Sequence, residues 1–145
     1  MTDQASHDRP LGASDATVAA VGKVTEALEW VERARGHLYE FHQLMGHADS
    51  TLSDAAAALE EAGHSEQAAQ LRTTVIGLDV LDGRWTFQIV EEFDDGYYDR
   101  FRAAEAATRD ALLEGRRHVF EFELKRSEQQ NLRDGDSDAP ESDAS

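Results

Sequence analysis

The chain contains no cysteine. Disulfide staples, thiolate zinc sites and cysteine nucleophiles are therefore excluded, while the redox compartment stays open. Only two prolines occur, Pro10 and Pro140, and both fall near the ends. A proline inside a helix costs about 3 kcal/mol, so the proline-free body is what long helices require. Basic residues are scarce as well: 14 Lys and Arg stand against 30 Asp and Glu, a formal net charge of −16. Such a surface repels phosphate backbones and anionic lipid headgroups. The short basic clusters, Arg33 with Arg35 and Arg116 with Arg117, lack the interleaved aromatics that single-strand binding uses. Neither a nucleic-acid nor a membrane partner is expected.

Long apolar runs are missing too. No stretch approaches the roughly 18 apolar residues of a membrane span, and Met1–Ala13 lacks the apolar segment of a secretory signal. A cytoplasmic protein is expected. Phosphate-cradling glycine loops, the Gly-x-Ser-x-Gly elbow and His-Glu-x-x-His are all absent. Acidic residues are too numerous for any one carboxylate pair to stand out as acid and base.

What is present is the material of one helical domain. The 145 residues suit a single unit of ordinary size. The ends are polar. Residues 1–13 read as a flexible lead, and residues 127–145 as a disordered acidic tail carrying six acids and one base. The helical domain is then 14–126. Its first helix is expected from about Ala16 to Met45, capped by Ser14 and stopped by Gly46. Val21, Val24, Leu28, Val31, Leu38 and Met45 form its apolar stripe, at alternating spacings of three and four. Two short helices, 50–62 and 65 to about 76, should form a hairpin around Gly63. A last long helix is expected from about Tyr97 or earlier to about Arg126.

The stretch 84–95 is ambiguous. Trp85, Phe87 and Ile89 alternate with polar residues as in a strand, yet Trp85, Ile89, Phe93, Tyr97 and Phe101 make an i, i+4 ridge. No second strand is available to pair with, so helix is preferred. The expected fold is all-α: a helical bundle of two long antiparallel helices with a short helical hairpin between them.

Three groups of residues could carry function. Trp85, Phe93, Tyr97 and Tyr98 lie in the segment richest in acids and aromatics, and aromatics of this kind anchor protein partners. Arg35, His42, Glu105 and Arg116 fall on apolar faces and should find partners across an interface as a buried polar network, for instance Arg35 with Glu105. Finally, His37-x-x-Glu40 and His118-x-x-Glu121 each place an imidazole and a carboxylate one helical turn apart, as bundle metal sites do. Di-iron bundles use the reverse order, Glu-x-x-His, so an exposed polar face is the preferred reading and a divalent metal the alternative. The functional expectation is a non-enzymatic helical interaction protein with no cofactor, meeting a protein partner or itself as a homo-oligomer through an apolar and aromatic helix face. The alternative is a metal- or small-ligand-binding bundle.

Overall fold

Gly46 does not stop the first helix. In a computed structural model, which describes residues 7–137, α1 runs without interruption over Asp15–Glu61. It is followed by α2 (Ser65–Thr74), α3 (Thr86–Phe93), a π-helical segment (Asp94–Tyr98), α4 (Asp99–Leu113) and α5 (Val119–Ser137). The protein is all-α, and the described residues contain only an isolated bridge between Leu81 and Arg84 in place of strands. The chain divides into two units, one made of the described residues up to Leu28 and from Phe101 onward, the other of Glu29–Arg100.

Gly46 fails as a stop because the packing pattern carries on through it. The three-and-four spacing of Val21, Val24, Leu28 and Val31 continues as Arg35, Leu38, His42, Met45, Asp49, Leu52, Ala56 and Leu59. That is a heptad seam, and along it every residue but Asp49 is buried or half-buried. One glycine costs a helix only about 1 kcal/mol, less than the packing of a turn on either side returns. Gly63 does stop the helix. It adopts φ +90°, with His64 N–H bonded to the Leu59 carbonyl and Gly63 N–H to that of Glu60, the paired bonds of a Schellman motif. The expected hairpin then forms between the end of α1 and α2, tied by Arg72 to Glu60 at 2.5 Å.

The first unit is built around Val18, Val21, Leu113 and Val119, with Ala13 against them. Ser14 caps α1, its hydroxyl accepting the Thr17 N–H at 3.1 Å. Thr25 reaches Glu105 while Val18 and Val21 share the core with Leu113, so α1 and α4 run antiparallel here. The expected unbroken last helix is two helices. Glu114, Gly115 and His118 all take positive φ (53°, 74° and 56°), which ends α4 and turns the chain into α5.

The unit also extends past both expected domain boundaries. Arg9 forks onto Glu123 with two 2.6 Å bonds and reaches Asp15 at 2.7 Å. The Asp8 carbonyl accepts from Arg116 at 2.7 Å, and Pro10 is buried. Residues 7–13 are therefore fastened by charge-assisted bonds that a low-hydrophobicity criterion does not register. At the other end α5 continues through 127–137. The expectations for residues 1–6 and 138–145 lie outside the described residues.

In the second unit the α1 seam is covered by chain running the other way. Glu32, Arg35, His42 and Asp49 meet Tyr98, Asp94, Thr86 and Gly77 in that order. Residues 86–93 are helical, as the i, i+4 ridge predicts. The π segment then inserts a wider turn, with Asp99 N–H bonded to the Asp94 carbonyl. Its extra residue shifts the ridge, so that Tyr97 is exposed and Tyr98 is half-buried with its hydroxyl on Glu32.

Candidate interaction surface

The polar residues of the α1 seam sit seven apart, Arg35, His42 and Asp49, and each is matched within the second unit. Arg35 donates to both oxygens of Asp94 at 2.7 and 2.9 Å, and its guanidinium lies 5.3 Å from the Tyr98 ring centroid. His42 Nδ1 shares a 2.7 Å bond with the Thr86 hydroxyl, and Asp49 accepts the Gly77 N–H at 3.0 Å. The hydrogen bonds from Arg35 hold the Asp94 carboxyl below the usual carboxylate range, against a smaller opposing push from burial. Polar layers repeated every heptad tolerate one register only, since a slip would leave each of them unpaired.

The expected buried polar network is therefore several separate ones. Arg35 and His42 belong to the ladder just described. Glu105, in the first unit, is 6% exposed and accepts from Thr25 and Arg109, each at 3.0 Å. Burial pushes its carboxyl up, but the bonds from Arg109 and Thr25 together outweigh that and leave it lowered. Arg116 bonds the Asp8 carbonyl and, at 3.0 Å, Glu114. The pairing of Arg35 with Glu105 is corrected: Arg35 meets Asp94, and Glu105 meets Thr25, ten positions earlier on α1 and about 80° round the helix from Arg35. Nothing in the apolar pattern pairs Asp94 with Arg35 or Arg9 with Glu123. For Asp49 the signal was available, because it lies one heptad beyond His42.

The four aromatics expected to meet a partner form two clusters. Phe93 packs between Tyr97 and Tyr98, with ring centroids 5.9 and 6.1 Å away. Trp85 lies at the opposite end of α3, 60% exposed, edge-on to Phe87 at 5.3 Å. There it borders a groove of about 540 Å3 whose walls include Met45, Leu52, Val75, Leu78 and Val80.

The metal-ligand candidates are distributed between the units. His37 and Glu40 lie on an exposed face of α1 with 3.9 Å between Nδ1 and Oε2. His118 is not helical; it precedes α5 with a positive φ, and Glu121 is exposed in the first turn of α5.

A further surface lies beside the α1 seam. On α1, Trp30, Ala34, His37, Phe41, Leu44, Ala48, Thr51, Ala55 and Ala58 follow one another at alternating spacings of four and three. All nine are exposed, and none carries an acidic or basic side chain apart from the imidazole of His37. Charge on this part of α1 is held at other positions, such as Glu32, Arg33, Glu40, Asp54 and Glu60.

Comparison with known proteins gives no family for the chain: no family model, curated protein or solved structure matches it.

Proposed function

We propose that the protein is a non-enzymatic helical interaction protein that works through the apolar and aromatic surface of its second unit. One observation carries this reading. Among the hydrophobic residues of that unit only Ala56, Ala68 and Val90 are fully buried, while Trp30, Leu44, Leu78, Leu81 and Trp85 are each more than half exposed. Soluble chains rarely leave large contiguous apolar patches uncovered unless another molecule covers them. The partner is taken to be a protein, because a net charge of −16 opposes nucleic acid.

Native mass spectrometry of the full chain, purified gently from its own host, tests this. A co-purifying protein, or an integral multiple of the 16.1 kDa chain mass, is the expected result. A bare monomer, or a monomer retaining a metal ion or small molecule, would overturn the reading and turn attention to the His-x-x-Glu pairs.

A further inference from the structure

We infer that the outer face of α1 from Trp30 to Ala58 is the interface of an antiparallel homodimer. The inference rests on the association reading above and names the partner as a second copy of this chain. It begins from the fact that α1 carries two heptad seams. The inner one is covered by its own chain, and the outer one, of the nine residues given above, is exposed at every position, with Ala48 also lining the groove that Trp85 borders. In a chain where 30 of 145 residues are acidic, nine successive seam positions free of Asp and Glu are the composition of a helix–helix contact.

The order of residues along the seam selects the partner. An axis placed between Phe41 and Leu44 brings each residue of one helix opposite a residue of the other whose number makes the sum 85. Trp30 then meets Ala55 of the other copy, Ala34 meets Thr51, His37 meets Ala48, and Phe41 meets Leu44 at the axis. Each large ring away from the axis, Trp30 and His37, faces an alanine. Such size matching within a single sequence is what an isologous interface demands, because one patch must complement itself.

Charge at the border agrees. In this register Arg33 of one copy falls beside Asp54 of the other, and Glu40 beside His47, each pair occurring twice by symmetry. Arg33 is already held at the seam, its guanidinium 4.6 Å from the Trp30 ring centroid. A parallel pairing would instead place Trp30 against Trp30 and hold Arg33 of one copy far along the axis from Asp54 of the other, losing both kinds of match.

The absence of cysteine makes the test clean, since one introduced thiol is the only labelling site. Gln43 and Ala57 are both exposed and lie two heptads apart, at equivalent positions outside the seam. Spin labels at Gln43→Cys should lie close to their symmetry mates, offset by only about 1.5 Å along the helix axis, whereas those at Ala57→Cys should be offset by about 44 Å. Dipolar spectroscopy of the two full-length dimers reads this difference directly. In parallel, Ala48→Glu puts a charge in the seam at a site exposed in the monomer; helix content should be kept and the dimer weakened at least ten-fold. Arg33→Asp and Asp54→Arg should each weaken it a few-fold, and the two together should restore it.

Equal distances at the two labelled positions would overturn the antiparallel arrangement, and a dimer indifferent to Ala48→Glu would overturn the seam. Either result leaves association itself standing, in a parallel arrangement or through another face. A chain monomeric up to high micromolar concentration would overturn the homodimer, and the broader reading would then stand or fall with a co-purifying protein.

Discussion

Arg109→Leu offers the sharpest test of the energetics read from the first unit. Arg109 places Nε 3.0 Å from one Glu105 oxygen and a terminal nitrogen 3.4 Å from the other, and its second terminal nitrogen reaches the Gly115 carbonyl at 2.6 Å. Both side chains are nearly buried, at 12% and 8% exposure. Removing one member of such a pair costs about 3–5 kcal/mol, because the other charge is stranded. Thr25 still donates to Glu105 after the change, which favours the lower end, while the Gly115 carbonyl loses a donor worth about 1 kcal/mol. A net loss of about 3–4 kcal/mol follows, against a total stability on the order of 5–15 kcal/mol.

The pH dependence gives the prediction its sign. In the native protein Glu105 is lowered, so its contribution is complete above the unfolded carboxyl value of about 4.3 and is lost as pH falls through the folded value. In Arg109→Leu the burial push, the largest single influence, is opposed only by Thr25 and the charge of Arg117, and the folded carboxyl should rise above its ordinary value. The deficit should then be largest at neutral pH and shrink toward pH 5 as Glu105 takes up a proton. Urea unfolding followed by far-ultraviolet circular dichroism at pH 7 and pH 5 measures both quantities. Tryptophan fluorescence adds a control, since Trp30 and Trp85 both lie in the second unit. Adding Glu105→Leu to Arg109→Leu should recover most of the loss. A deficit under about 1 kcal/mol at pH 7, or one that is the same at both pH values, would refute the buried-pair argument.

Two further predictions concern the helix boundary and the polar ladder. Gly46→Ala should stabilise by about 0.5–1 kcal/mol, since the added methyl meets nothing within 4 Å inside a continuing helix; Gly63→Ala at φ +90° should destabilise by about 1 kcal/mol or more. If thermal melts show both changes with the same sign, α1 does not pass through Gly46 and end at Gly63. Asp94→Asn removes the charge that faces Arg35. Because Asp94 is lowered, its contribution is present above about pH 3.9 and lost as pH falls through the folded value, so wild type and variant should differ at pH 7 and converge in acid. A gap in urea stability that persists at low pH would show that the loss is one of packing.

The all-α character, the Ser14 cap and the turn at Gly63 were legible in the residues because each is a local matter. Helical periodicity, a hydroxyl before the first turn and a glycine after the last act within a few positions of themselves. The ridge through Trp85 and Ile89 likewise identified α3, and the heptad spacing marked the inner seam as far as Met45. Tertiary structure decided what local preference leaves nearly balanced. Gly46 and Gly115 carry the same intrinsic helix penalty, but the first lies within a seam packed on both sides while the second follows Glu114 in positive φ and receives Arg109 on its carbonyl. Whether Arg35 meets Asp94 or Glu105 depends on register and on the extra residue of the π turn, which no periodicity encodes. The fastening of residues 7–13 depends on Arg9 finding Glu123, 114 positions away. Composition measures how much apolar surface a segment can bury, and it carries no information about which distant charge will be opposite when the chain has folded.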